Sequence, residues 1–353
     1  MIMIKNFKIG NKDIGEDFKT FIVAEMSGNH YGKLKNALQI VRMAKKCGAD
    51  AIKLQTYKPN TITLNSNKKD FKIPKKSPWF KYRNLWNLYK NAHTPWEWHK
   101  KIFQEARKNK LSFFSSPFDE TAVDFLEKIG CQAYKIASPE INHIPLIERV
   151  SKTKKPVILS TGLASYSEIK KAVSILRKNK SNKIIILKCC SSYPADYDEL
   201  NLLTIKDIKD KFKTISGFSD HTIGSVAPIS SVVLGGKMVE KHFTFDQKIK
   251  TVDNFFSSGP NQFKEMVSQI RNAEKSIGMV TYKISNKSKI SLNGKRSIYV
   301  SIDILKGQKI SKNNIKVVRP SYGLSPEFYK RVIGKKTIKT LKAGSRLKME
   351  FLK

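Results

Sequence analysis

Phe21-Ile22-Val23-Ala24-Glu25-Met26-Ser27-Gly28-Asn29-His30 is the stretch on which the fold turns. Its first half is a short continuous apolar run, the pattern of a strand covered on both faces. Such a run can open a doubly wound sheet or a parallel barrel. A doubly wound nucleotide-binding sheet wants a glycine-rich phosphate loop directly after that strand. Ser27-Gly28-Asn29-His30 holds a single glycine and is not such a loop.

Seven more runs of the same kind follow, at residues 51–54, 111–115, 133–136, 156–160, 184–188, 214–218 and 237–241. Amphipathic helical patterns lie between them. Residues 34–47 place Leu34, Ala37, Leu38, Val41 and Ala44 on one face, and residues 96–109, 121–128, 144–151, 167–178, 204–212, 225–234 and 260–277 follow. Strand–helix alternation repeated eight times predicts an α/β fold, a (β/α)8 TIM barrel. Residues 55–94 break the rhythm between the second strand and its helix, with Phe71, Trp79, Phe80, Tyr82, Leu85, Trp86, Leu88 and Tyr89. A connection this long is expected to be a lid or cover rather than a plain loop.

The barrel is expected over residues 1–279, a polar linker over 280–292, and a small β-rich domain over 293–353. Two tail segments echo each other: Asp303-Ile304-Leu305-Lys306-Gly307-Gln308-Lys309-Ile310, and Lys339-Thr340-Leu341-Lys342-Ala343-Gly344-Ser345-Arg346-Leu347. They suggest a pseudo-symmetric β unit.

The 353 residues carry a formal net charge of +38. Lys outnumbers Arg roughly sixfold, whereas nucleic-acid readers draw heavily on Arg for bidentate contacts. The excess is therefore read as compositional bias rather than as a nucleic-acid surface. From Lys283 onward there are 19 basic and 3 acidic residues, so the tail is the most basic part. Few aromatics interleave there for base stacking. No apolar stretch approaches a membrane span, and no signal peptide is recognisable. Cys47, Cys131, Cys189 and Cys190 are read as reduced thiols in a cytoplasm.

In a barrel, function sits at the C-terminal ends of the strands, and polar residues gather there at nearly every one. Lys53, Lys135 and Lys188 close strands two, four and six. Alternate strands feed one layer of the barrel, so three ammonium groups would repel unless an anion joined them. Lys241 alternates with Glu240 and His242 and is expected to point away. His221 and His242 end adjacent strands and could hold one divalent metal, with Glu240 as a further ligand or support. Glu25 and Glu140 could orient a sugar hydroxyl, move protons, or simply pair with Lys53 or Lys135. His93 and His99 look structural, and no Ser-His-Asp order or P-loop is present.

Several of these motifs resemble one known family. They are Phe-Ile-Val-Ala-Glu-Met-Ser-Gly-Asn-His from Phe21, Gly-Ala-Asp-Ala-Ile-Lys-Leu-Gln-Thr-Tyr from Gly48, Ser-Ser-Pro-Phe-Asp from Ser115, Tyr-Lys-Ile-Ala-Ser-Pro-Glu from Tyr134, Ser-Thr-Gly from Ser160, Phe-Ser-Asp-His-Thr from Phe218 and Val-Glu-Lys-His-Phe-Thr from Val239. Together they resemble the sialic acid synthases, the phosphoenolpyruvate-dependent nonulosonic acid synthases. The tail, with Arg-Ser-Ile-Tyr-Val from Arg296 and Val-Arg-Pro-Ser-Tyr-Gly-Leu from Val318, resembles that family's antifreeze-like (SAF) domain. His-Thr-Pro-Trp-Glu-Trp-His from His93 and Ser-Gly-Asn-His after Met26 look most like the pseudaminic acid branch, with the neuraminic and legionaminic branches as alternatives.

The resemblance implies condensation of phosphoenolpyruvate with an open-chain N-acetylated amino sugar. His221 and His242 would bind the metal, a divalent ion such as Mn²⁺, Co²⁺ or Mg²⁺. Substrate-binding positions would be Lys53, Gln55, Ser116, Asp119, Lys135, Ser138, Lys188, Ser191, Tyr193, Ser219 and Asp253, with Glu25 and Glu140 contacting the sugar and handling protons. Ser191 stands where neuraminate synthases carry Asn, which leaves its contact to phosphate open. Arg319 would reach from the SAF domain into the partner barrel of a swapped homodimer. No nucleic acid or membrane partner is implied.

Overall fold

The computed structural model describes residues 6–353. The chain divides into two compact units, Met1–Gly278 and Met279–Lys353.

The first unit begins with a hairpin that the sequence did not announce, β1 (Asn6–Ile9) and β2 (Lys12–Gly15), paired antiparallel. Gly10 in its two-residue loop has φ +61°, the left-handed conformation that such tight turns require. Phe7, Ile9 and Ile14 are buried in the main core, and the Ser112 hydroxyl donates to the Ile9 carbonyl at 2.6 Å. The hairpin thus seals the N-terminal end of the barrel.

The barrel strands are β3 (Phe21–Glu25), β4 (Ala51–Thr56), β5 (Ser112–Pro117), β6 (Tyr134–Ile136), β7 (Val157–Ser160), β8 (Ile184–Cys189), β9 (Ile215–Asp220) and β10 (Met238–His242). They close in the order β10-β3-β4-β5-β6-β7-β8-β9, parallel throughout. The barrel and its eight strand positions are those expected from the apolar runs. Nearly every strand residue is buried, as both faces are covered.

The helices are α1 (Leu34–Lys46), α2 (Pro59–Ile62), α3 (Leu85–Ala92), α4 (Trp96–Lys108), α5 (Glu120–Lys128), α6 (Ile144–Lys152), α7 (Tyr166–Lys178), α8 (Thr204–Phe212), α9 (Val226–Val233) and α10 (Pro260–Ile277). Their ends follow local chemistry. Ser165 Oγ accepts from the Glu168 amide at 3.3 Å while Glu168 Oε2 accepts from the Ser165 amide at 2.8 Å, a reciprocal cap on α7. Pro260 starts α10, where its missing N–H costs nothing. Helices α2 and α3 lie within the long insertion, joined by short 3₁₀ turns at Lys69–Phe71 and Phe80–Tyr82.

The second unit is small. Residues 281–287 carry no helix or strand and lead into a 3₁₀ turn, Ser288–Gly294. Strands β11 (Ser297–Val300) and β12 (Ile315–Val318) pair antiparallel, and α11 (Tyr329–Val332) packs beside them. Ile298, Val300, Ile304, Ile310, Ile315, Val332, Leu341 and Leu347 form its core. The two echoing segments pair with each other, Ile304 and Leu341 exchanging both main-chain hydrogen bonds at 2.8 Å. Gly307 and Gly344, at matching places in the two segments, both have φ +83°.

The four cysteines are free. Among the described residues no helix is long and apolar enough to cross a membrane.

Candidate active site

Strand register carries the chemistry to the inside of the barrel. Glu25 on β3 stands in register with Lys53 on β4 and with His242 on β10, and Glu240 with Ser219 on β9. In-register residues of neighbouring strands share a face. Lys53 Nζ lies 2.7 Å from Glu25 Oε2 and 3.3 Å from Glu240 Oε1, and Lys135 Nζ lies 3.2 Å from the same Glu240 oxygen. Lys53 also donates to Ser116 Oγ at 3.3 Å, and Ser219 Oγ to Glu240 Oε1 at 3.3 Å. The anion that reconciles two buried lysines is thus a residue of the chain, Glu240.

Lys188 does not join them, which corrects the expectation of a three-lysine layer. It is in register with Phe218, whose ring is buried against Leu200 and Ile205 behind the strands. Strand β8 runs one residue further than the apolar run suggested, and Cys189 is its last inward residue. One step along a strand exchanges its faces. Lys241 faces outward as its alternation predicts, paired with Asp220 and donating to the Thr222 carbonyl at 2.7 Å.

Burial sets the charges. Burial alone would raise Glu240, but Lys135 and Lys53 outweigh it and hold its carboxyl below the usual range. Burial opposes the Lys53 cation, yet Glu240 and Glu25 raise it above an ordinary lysine. For Lys135 burial prevails over Glu240 and lowers it, and for Glu25 burial prevails over Lys53 and raises it. The cluster combines a firm ammonium, a less basic one, a firm carboxylate and a carboxyl that ionises reluctantly. It is suited to an added anion.

His221 and His242 are both buried, their ring centroids 5.4 Å apart. His221 Nδ1 donates to the Cys190 carbonyl at 2.7 Å, which leaves its Nε2 as the free nitrogen. His242 Nδ1 is buried with no hydrogen-bond partner. Burial first, then the nearby His221, Lys53 and Lys135, push His242 well below an ordinary imidazole and keep it neutral. For His221 burial works the same way, but the Cys189 thiol and the Cys190 carbonyl outweigh it and raise its basicity. Among the described residues no set of three or more His, Cys, Asp and Glu side chains converges as a metal cage. Glu240, weighed above as a further ligand, is engaged by the two lysines instead. Two adjacent imidazoles, one with an orphaned buried nitrogen, fit a divalent ion whose other positions are open to water and substrate.

Above this layer lies a cavity of about 560 Å³. Gln55, Glu140, Tyr193, His242 and Asp253 line its barrel side, and the insertion covers it. Gln55 Nε2 donates to Glu25 Oε1 at 3.2 Å and to Ser27 Oγ at 3.1 Å. Asp253 accepts from Ser27 Oγ, and its carboxyl is raised by burial. Glu140 Oε2 is buried without a partner, and burial pushes this carboxyl up to about 7. The Tyr193 ring lies tilted against His221, ring centroids 4.3 Å apart. Just beyond the ends of β6 and β8, Ser138 Oγ accepts from the Gly162 amide at 2.9 Å and the Ser191 hydroxyl is buried and unpartnered. A Cβ at Gly162 would stand 2.3 Å from Ser191 Oγ, so only glycine lets these groups close around one point.

Asp119, like Lys188, lies apart from the cluster. Asp119 caps α5, accepting from the Thr121 amide at 3.1 Å, and does not line the cavity. Arg319 is exposed in the second unit and forms no ion pair among the described residues. His99 donates from Nδ1 to the Pro95 carbonyl and meets Thr56 Oγ1 at 2.8 Å, a structural histidine as expected. Reading the sequence passed over Trp79, Cys189 and Ser27 as site residues. Trp79 sits among many aromatics of the insertion, and nothing in its spacing marks it.

The model of the NeuB family matches residues 40–282, and that of the SAF domain residues 295–353. A pseudaminic acid synthase of Campylobacter jejuni is 44% identical, covering 97% of this chain and 98% of its own length. An N,N'-diacetyllegionaminic acid synthase of Legionella pneumophila is 33% identical over 99% of each chain. The crystal structure of an N-acetylneuraminic acid (sialic acid) synthetase from Leptospira borgpetersenii superposes with a TM-score of 0.72 at 32% identity, covering 82% of this chain and 96% of that one. The NeuB model spans more than half of the chain and a relative is 44% identical over nearly its whole length, and the chain belongs to the NeuB family.

Proposed function

We propose that the protein joins phosphoenolpyruvate to open-chain 2,4-diacetamido-2,4,6-trideoxy-L-altrose, releasing phosphate and giving pseudaminic acid. The observation that carries this reading is the convergence of Lys53 and Lys135 on Glu240 beside the His221–His242 pair. The greater likeness to a pseudaminic acid synthase, 44% against 33% for the legionaminic enzyme, supports the choice of sugar.

In the reaction, carbon 3 of phosphoenolpyruvate attacks the sugar aldehyde, water adds at carbon 2, and the bond from carbon 2 to the phosphate oxygen breaks. A divalent ion such as Mn²⁺, Co²⁺ or Mg²⁺ held by His221 and His242 would supply Lewis acidity for the aldehyde oxygen. Lys53 and Lys135, with the hydroxyls of Ser116, Ser138, Ser191 and Ser219, hold the carboxylate and phosphate of phosphoenolpyruvate and stabilise charge on the departing phosphate. Gln55, Tyr193 and Asp253 orient the sugar. Glu140, with its affinity for a proton near neutrality, donates or accepts the proton at the sugar end. Glu25, held by Lys53, fixes that lysine and Gln55. We further propose a cytoplasmic homodimer in which Arg319 of one chain reaches the partner's barrel, with residues 280–292 as the connecting linker.

The test is phosphate release from phosphoenolpyruvate with Mn²⁺ and each of three acceptors: the diacetamido L-altrose, its legionaminic counterpart and N-acetylmannosamine. The diacetamido L-altrose is expected to give the highest kcat/KM. A higher value for either of the others overturns the choice of sugar.

A further inference from the structure

Helix α3 is amphipathic, yet none of its residues is buried. Leu85, Leu88 and Ala92, at helical spacing, line the cavity over the barrel mouth, joined by Ile62 and Ile73 from the same insertion. A half-exposed apolar stripe of this kind has not found its partner within the chain's main core, which includes neither Leu85 nor Leu88. The facing wall carries polar groups at Gln55, Glu140 and Asp253, set among Phe118, Pro139 and Phe256. The cavity therefore pairs groups able to satisfy hydroxyls and amides with a patch at Leu85, Leu88 and Ala92 able to bury only carbon.

We infer that the α3 wall selects the acceptor sugar by receiving its methyl groups, those of the deoxygenated sixth carbon and of an acetamido substituent. This rests on the proposed function and deepens it. Phosphoenolpyruvate is too polar to use such a wall, and its charges are met deeper, at Lys53 and Lys135. A hydroxyl turned toward Leu85 and Leu88 would lose its hydrogen bonds to water without replacement. A methyl there is favoured over nothing by about 10-fold or more. Discrimination against a sugar with a free hydroxyl at its sixth carbon follows from the wall alone.

The experiment compares Leu88→Ser and Leu88→Met with the unmodified enzyme, using the diacetamido trideoxy sugar and N-acetylmannosamine as acceptors. Leu88→Ser should lower kcat/KM for the diacetamido sugar about 10-fold, mainly through KM, and lower it less for N-acetylmannosamine. Leu88→Met, which keeps the surface apolar, should retain the preference. Equal losses with both sugars, or a Met variant as impaired as the Ser variant, overturn the wall. Saturation-transfer NMR of the diacetamido sugar on the unmodified protein reads the wall without turnover. Methyl protons should receive more saturation than ring protons. If they do while no sugar is turned over, the proposed reaction falls and the wall stands. If the sugar is turned over while its methyl groups receive no excess, the wall falls and the reaction stands.

Discussion

Trp79 donates its indole N–H to the main-chain carbonyl of Val252 at 3.0 Å, fastening the insertion after β4 to the segment after β10 across the cavity. Its ring also meets Tyr193 and Phe255 edge-on, at 5.5 and 5.8 Å between centroids. Trp79→Phe keeps most of the apolar contact and removes the hydrogen bond, whose net worth is about 1 kcal/mol. Steady-state kinetics should show the sugar KM rising roughly fivefold, with little change in the melting temperature. An unchanged sugar KM would show that the fastening has no part in closing the cavity.

His221→Ala or His242→Ala should abolish turnover and tight binding of Mn²⁺ while the circular dichroism spectrum stays that of the parent. The parent should lose activity on chelation and regain it when Mn²⁺ is restored. Full activity in chelated protein would refute the paired-histidine assignment.

Glu140, raised by burial to about 7 from 4.5, is neutral below that value and charged above it. The sign is set by the folded state holding the proton more tightly than the unfolded one. Its contribution to stability is present at pH 4.5 and is lost as pH rises through 7. Glu140→Gln should therefore gain stability relative to the parent at pH 8, by up to about 3 kcal/mol, and gain nothing at pH 4. The same variant should have a low kcat and lack the pH–rate limb near neutrality. A parental limb in the variant would assign it to another group.

Lys188→Ala and Lys135→Met form a contrast. The former removes a side chain that faces away from the mouth and should change kcat/KM less than about twofold, as surface changes do. The latter strips Glu240 of one of its two lysines, and should lower stability by about 3 kcal/mol and cripple use of phosphoenolpyruvate. Comparable defects in both would return Lys188 to the site.

The outline of the barrel was legible because its strands are buried on both faces and read as unbroken apolar runs. Lys53, Lys135, His221 and His242 were legible because they fall at the ends of those runs. Lys188 was misplaced by one residue of strand length, since a continuous apolar run carries no alternation to fix its phase. The β1–β2 hairpin escaped notice because Phe7, Ile9 and Ile14 are scattered among polar residues, and only burial under the barrel distinguishes them. The meeting of Lys53 and Lys135 on Glu240 depends on which rotamers reach across the barrel, and no linear pattern records that. Ser27 and Asp253, 226 positions apart in the chain, become neighbours only on closure.

The hairpin that plugs the barrel floor has a kinetic consequence. With that end closed at Ile9 and Ser112, the cavity under the insertion is the doorway that the described residues offer to reactants. Gln55 lines that cavity, and Lys53 stands two residues earlier on the same strand, about 7 Å deeper. The molecule that occupies the lysines must pass before the molecule that fills the cavity. Initial-rate patterns should accordingly describe a compulsory sequence, with phosphoenolpyruvate entering first and an unreactive sugar analogue trapping it inside. Random-order kinetics would mean that a second way in exists.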